Sequence, residues 1–197
     1  MKKKRLILIG LDSDLVDQIN LEKNFKLLGV IDKNKKKISE TEYLGNDNDF
    51  IDELDSSFLC GLDNPNLKKN LIKKFYNNKK FVNFVSSKSY ISELIKFGNG
   101  NIFQRNVKVM ANVKIGNHCK FNIDSSIHHD CEIGNFNTIC PGARILGNVT
   151  LGNNVYIGSG AIILPKVVIG DDAIVGAGAV VTKNIHKNSK VKGIPAR

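Results

Sequence analysis

The sequence predicts a small α/β unit over residues 1–86 followed by a three-sided parallel β-helix over residues 87–197. Three observations predict it. Bulky apolar residues recur at every sixth position through the second half, and glycines recur there at every eighteenth. The first half instead alternates short apolar runs with stretches of helical spacing.

In the first half, Leu6 to Ile9 is an apolar run that ends at Gly10, and Leu15, Val16 and Ile19 follow at helical spacing, so a strand and then a helix are expected. Leu27 to Ile31, before Asp32, reads as a second strand and Phe58 to Leu62 as a third. Pro65 suits the first turn of a helix, where a missing N–H costs nothing, and Leu67, Leu71, Ile72 and Phe75 would share one side of it. Lys80 to Val85 reads as a fourth strand leading into the repeat. This alternation favours a Rossmann-like βαβ sheet with parallel strands. Ligands of such sheets sit beyond the carboxyl ends of the strands. Gly10, Ser13 and Asp14 in the loop GLDSDLV, the Asp32 and Lys33 turn, and Gly61 are therefore the candidate substrate-binding residues.

In the second half, stepping by six from Ile91 reaches Val181 without a slip, and every residue on that series is bulky and apolar. The residues two places earlier, from Val107 through Cys119, Cys131 and Ala143 to Ala179, are mostly small. Each hexad thus turns one small and one large side chain inward at strand spacing before the chain bends. A six-residue repeat would drift around a 3.6-residue turn, so a helix is excluded. Gly98, Gly116, Gly134, Gly152 and Gly170 recur every eighteen residues, which makes three hexads one coil. These glycines are expected at one corner of a triangular prism, where positive φ would favour them.

Composition narrows the function classes. The apolar fraction of 42% is that of an ordinary globular protein. No apolar run reaches the roughly 20 residues of a membrane span, and the start MKKKRLILIG has too short an apolar stretch for a secretion signal, so an intracellular, cytoplasmic protein is expected. Cys60, Cys119, Cys131 and Cys140 show no metal spacing and read as reduced structural thiols. The net charge of +10 is spread over both halves, and the run from Lys33 to Lys37 lacks interleaved aromatics, which argues against nucleic acid as a partner. The last fifteen residues carry Lys183, Lys187, Lys190, Lys192 and Arg197 and no acid, a bias suited to a polyanion.

The segments IGNHCK, LGNNVY, IGDDAI and VGAGAV resemble the hexapeptide repeats of the left-handed β-helix acyltransferases, and the ending GIPAR resembles the G-x-P-A ending of that family. The resemblance implies left-handed coiling, a homotrimer with active sites between neighbouring prisms, and acetyl-CoA as co-substrate. Over the whole chain the sequence resembles the bacterial sugar acetyltransferases, which include the UDP-4-amino-sugar N-acetyltransferase of bacillosamine synthesis and the sialic acid O-acetyltransferases. Their first loop usually reads like GxGGHG and holds the nucleotide sugar; GLDSDLV departs from it.

The same resemblance points to SSIHHDCEIG, where the subfamily carries a histidine, an acid and a cysteine, matched here by His129, Asp130 and Cys131. Cys131 and Ile127 lie on the two inward series, so His129 falls at the corner between them and should project outward. Imidazole is poised near neutral pH to take the proton of an attacking amine, and a neighbouring carboxylate would fix its tautomer. His129 is the expected base and Asp130 its orienter, with His128 the competing candidate. Gly147 lies one coil above His129 and would offer an N–H to the oxyanion. The resemblance extends CoA contacts to Thr138, Ser159 and Ala177, and the basic ending adds Lys183. No metal is expected, because the four histidines lack the eighteen-residue relations that would stack them. An O-acetyltransferase of sialic acid or a related sugar, and a non-catalytic trimeric scaffold, remain alternatives, and formyl, succinyl or longer acyl groups remain open.

Overall fold

The computed structural model describes residues 3–34, 41–48 and 56–197. Most of the Lys33 to Lys37 run lies outside them. The α/β unit consists of β1 (Lys4–Ile9), α1 (Ser13–Leu21), β2 (Phe25–Ile31), β3 (Ser57–Cys60) and α2 (Pro65–Phe75). The strands form a parallel sheet of order β2-β1-β3. Both helices start on a side chain that accepts a hydrogen bond from the first turn. Asp12 accepts from the Leu15 N–H at 3.0 Å and Asn64 from the Leu67 N–H at 2.9 Å, with Pro65 in the first turn.

Because strand side chains alternate, Leu6 and Leu8 pack on one side of the sheet with Leu15, Val16 and Ile19 of α1, and Ile7 and Ile9 pack on the other with Ile72 of α2. The expected apolar side of α2 divides. Pro65, Lys68 and Ile72 are buried, whereas Leu67, Leu71 and Phe75 line a cavity beside the sheet. The expected fourth strand divides too. Phe81 makes one bridge to Phe58, while Phe84–Val85 pairs with Ile102–Phe103 and is already a strand of the prism. Phe84 and Ile102 also join the core beneath α1, so the two units share apolar packing.

The prism is built of two-residue strands stacked in three parallel sheets. One sheet holds Lys120–Phe121 and Thr138–Ile139, the next Ser126–Ile127 and Arg144–Ile145, the third Glu132–Ile133 and Thr150–Leu151. Pairs in register are eighteen residues apart, and the second residue of each is the bulky inward one. The small inward series fills the remaining space, with Val107, Cys131, Ala143 and Ala179 all fully buried. Side chains of two sizes alternating inward pack a narrow prism without voids.

Positive φ recurs at every sixth residue, but not at the glycines expected to need it. It falls two residues later in each corner, at Asn106, Asn112, His118, Asp124, Asp130, Phe136, Asn148 and Asn154, with Gly100, Gly142, Gly160 and Gly178 filling the same position in other hexads. Gly116 and Gly134 are glycine for a different reason: a Cβ on Gly134 would lie 2.5 Å from the Gly152 oxygen, and one on Gly116 would lie 2.6 Å from Asn135 Oδ1. Asn135 Oδ1 belongs to a ladder in which each asparagine side chain caps the coil below. The Asn117 N–H donates to Asn135 Oδ1 at 2.9 Å, and the Asn135 N–H donates to Asn153 Oδ1 at 2.8 Å. His118 and Phe136, bulky for a positive-φ position, stack at 5.1 Å, and Phe81 packs edge-on to His118 at 4.6 Å. Packing thus holds the strained corner in place.

Lys120 joins the two units. Its ammonium lies 2.7 Å from Asp12 Oδ2, 2.9 Å from Asp63 Oδ1 and 2.6 Å from the Gly61 carbonyl, with the side chain 1% exposed. Burial alone would push this amine down, but Asp12 and Asp63 hold it above its ordinary value. Lys68 of α2 has no acid bonded to it among the described residues. Burial pushes it down to about 8, and its ammonium donates to Thr138 Oγ1 at 3.3 Å.

Two expected outcomes follow. Gly134→Ala should lower unfolding free energy by more than about 2 kcal/mol, since backbone must move, whereas Gly142→Ala, with open space around its Cβ, should cost only about 1 kcal/mol for its positive φ; denaturant titration compares them. Lys120→Met should cost about 3 kcal/mol in the same titration, the low end for removing one partner of a buried pair, because Asp63 remains half-exposed to water.

Candidate active site

His129 and Asp130 form the corner that follows the strand Ser126–Ile127, and Asp130 is its positive-φ residue. That backbone places the two side chains together: His129 Nδ1 is 2.7 Å from Asp130 Oδ2, with the imidazole side chain 59% exposed. The other carboxylate oxygen accepts from Asn112 Nδ2, one coil below, at 3.1 Å. The His129 bond, and then the Asn112 bond, hold the Asp130 carboxyl below the usual carboxylate range. With Asp130 ionised, the proton of the pair resides on Nδ1, and Nε2 is left to accept one.

Gly147 lies one coil above and is buried. A Cβ there would come within 2.7 Å of His129 Cε1 and Nε2, so the ring rests against a backbone that has room for no side chain. The Gly147 carbonyl accepts from the Lys166 N–H at 3.1 Å, while its own N–H finds no protein acceptor among the described residues. Cys131 turns inward, and its thiol donates to the Leu146 carbonyl at 3.1 Å. Burial pushes that thiol up to about 11, which leaves it protonated and inert near neutral pH. His128 is separate from the pair and lines a groove with Met110, Arg144 and Leu146.

The expected cofactor residues do not all gather here. Only Gly147 touches the His129 corner. Ser159 and Ala177 are exposed and stack one coil apart, with the Gly178 N–H donating to the Ser159 carbonyl at 2.8 Å, but they occupy the corner after Tyr156–Ile157, not the His129 corner. Position 159 is thirty residues from 129, which is not a whole number of coils. Thr138 lies apart from both corners: its side chain is fully buried beneath α2 and bonded to Lys68. Lys183 is exposed near the last coil.

The expected substrate residues divide between two concavities. Gly10, Asp32 and Lys33 line a cavity of about 360 Å³ with Asn46, Asn48, Leu67, Leu71 and Phe75. The Asp32 carboxylate organises its mouth by accepting from the Leu11 N–H at 2.8 Å and the Asn34 N–H at 3.0 Å. Asp14 and Gly61 instead line a cleft of about 550 Å³ between the units, with Asp12, Asp63, Asn122, Tyr156 and Ser159. Ser13 is exposed and outside both sets of lining residues.

The sequence reading missed Lys120, Lys68, Asp12 and Asp63. A signal was present: on the sheet that carries Lys120, the outward positions Ile102, Thr138 and Tyr156 around it bear no charge, whereas Lys96, Lys114 and Glu132 follow one another on the third sheet. A face with so few charges is a covered face. Among the described residues, no group of histidine, cysteine or acidic side chains could hold a metal ion, and no helix is long and apolar enough to cross a membrane.

Comparison with known proteins places this geometry. The family described as bacterial transferase hexapeptide (six repeats) matches residues 148–183. By sequence, no curated protein matches. Among solved structures, WeeI from Acinetobacter baumannii AYE is 26% identical with a TM-score of 0.88 over 99% of each chain. PerB from Caulobacter crescentus, solved with CoA and GDP-perosamine, is 22% identical with a TM-score of 0.87 over 98% of this chain and 95% of that one. The acetyltransferase domain of PglB from Neisseria gonorrhoeae FA1090, solved with acetyl coenzyme A, is 20% identical with a TM-score of 0.87 over 100% of this chain and 99% of that one. These likenesses extend through the α/β unit as well as the prism. By its repeat and its fold, the chain is an α/β unit joined to a left-handed β-helix of hexapeptide repeats.

Proposed function

We propose that the protein transfers the acetyl group of acetyl-CoA directly to the amine of a nucleotide-linked amino sugar, with His129 as general base and Asp130 as its orienter. The observation that carries this reading is the exposed His129–Asp130 pair lying against a bare Gly147 whose N–H has no acceptor among the described residues. In the reaction the amine attacks the thioester carbonyl and His129 Nε2 takes the amine proton. The Gly147 N–H stabilises the oxyanion, and collapse of the tetrahedral intermediate expels the CoA thiolate, which recovers the proton from the imidazolium. The complexes of PerB with CoA and GDP-perosamine, and of the PglB domain with acetyl coenzyme A, support this donor and acceptor class.

In this reading the chain divides its labour near residue 86. The α/β unit takes the nucleotide in the cavity bounded by Gly10, Asp32 and Lys33, and the prism performs the transfer. Ser159 and Ala177 stack at a corner other than that of His129, so a donor lying against both spans two copies of the chain. That favours a homotrimer with the site between neighbouring prisms, and Lys183 then lies where it can meet the CoA phosphates. Use of CoA makes the cytoplasm the place of action.

Release of free thiol from acetyl-CoA, measured with UDP- and GDP-linked amino sugars and with free sialic acid, tests the reading; turnover with sialic acid alone, or with no acceptor, overturns it. His129→Ala should lower kcat by about a hundredfold to ten-thousandfold, roughly 3 to 5 kcal/mol of transition-state stabilisation, without moving the thermal midpoint. Asp130→Asn should lose less, and His128→Ala should keep near-parental activity. Sedimentation at micromolar concentration should show a trimer, and a monomer there would remove the shared site.

A further inference from the structure

The same strap ties neighbouring coils at three places. Asn106 Nδ2 donates to Asp124 at 3.0 Å, Asn112 Nδ2 to Asp130 at 3.1 Å, and Asn154 Nδ2 to Asp172 at 3.1 Å, each pair eighteen residues apart and each partner at positive φ. Asparagine and aspartate tolerate that backbone, and the amide gives the carboxylate a donor across the gap between coils. At Asp124 and Asp172 the other oxygen has no protein partner among the described residues. At Asp130 it is the atom 2.7 Å from His129 Nδ1.

We propose that Asn112 is a positioning residue: by holding one oxygen of Asp130, it turns the other toward His129 Nδ1 and keeps the imidazole in the tautomer whose Nε2 is free to take a proton. The geometry stands by itself, while its consequence for turnover rests on the reading of His129 as base. The need for a strap follows from exposure. Asp130 is 44% exposed, and an exposed ion pair gains so little that one contact does not fix a carboxylate's rotation. A second bond from a side chain anchored on the coil below fixes the plane. The other charged or titratable groups near the corner are His128 beside it in sequence, Cys131 with its thiol turned inward to the Leu146 carbonyl, Glu132 with its partner Lys114 on the following face, and Lys166 two coils above; among the described residues none of their side chains bonds to the His129 ring or the Asp130 carboxylate.

The test uses the intact chain and two matched variants. Asn112→Gly removes the amide at a position where glycine accepts the backbone, and Asn106→Gly makes the same change at a corner that has no histidine. Nitrogen-15 NMR of the imidazoles should show His129 protonated on Nδ1 in the parent and on a mixture of both nitrogens in Asn112→Gly, with the parental state kept in Asn106→Gly. With acetyl-CoA and a UDP-linked 4-amino sugar, Asn112→Gly should lose about 3- to 10-fold in kcat at unchanged KM, as expected for one net hydrogen bond, while Asn106→Gly loses a similar amount of thermal stability and no activity. A parental His129 tautomer in Asn112→Gly overturns the proposal whatever the activity. An active His129→Ala variant would sink the base assignment alone and leave the tautomer measurement to decide the role of Asn112.

Discussion

A left-handed backbone turn at every sixth residue is the constraint on which the molecule depends. Each such turn redirects the chain at a corner, and three of them bring it back over itself in register. Most L-residues resist that backbone by about 1 to 2 kcal/mol, which is why asparagine, aspartate and glycine fill most of these positions. The catalytic candidate grows from the same requirement. Asp130 is a corner aspartate of the kind used at Asp124 and Asp172, and only the histidine before it turns a structural acid into one that can orient a base.

The second dependence is the seam between the units. Lys120 reaches Asp12 across 108 positions of sequence, gathering the loop before α1 and the loop after β3 onto one prism face. Those loops line the cleft that Tyr156 and Ser159 complete. A cation buried among two carboxylates and a carbonyl sets the geometry of that cleft more than it adds to stability, since desolvating three charges offsets much of their attraction.

Much of this was legible in the sequence, and the failures have physical reasons. The six-residue and eighteen-residue periods determine which side chains turn inward, and they put Gly147 above His129 by arithmetic alone. The recurring glycines were located correctly but explained wrongly: close approach of successive coils, not positive φ, excludes a side chain at Gly116 and Gly134. Ser159 and Ala177 came with the resemblance and not from the period, since their offset from His129 is not a multiple of eighteen. Lys120 and Lys68 were invisible for a deeper reason. A lysine on a short strand has the same local pattern whether water or another unit covers it, and only the mixed outward residues of that sheet hinted at a cover. On α2, Leu67, Leu71 and Phe75 carried the periodicity of a core-facing stripe yet line a cavity, because a helix face looks the same against a core as against a ligand space.

The asparagine ladder from Asn117 through Asn135 and Asn153 to Asp171 carries a consequence for how such a molecule can change length. Every rung joins a backbone N–H to an oxygen one coil higher, and each corner strap spans the same interval. Removing or adding eighteen residues returns every rung to an equivalent partner. Removing or adding six would bring each corner beneath a different one, setting asparagine rungs against the small-residue turns of Gly142 and Gly160 and His129 beneath a foreign neighbour. Growth and shrinkage of the prism are therefore quantised in whole coils, and variation between related chains is confined to that unit or to the corners themselves.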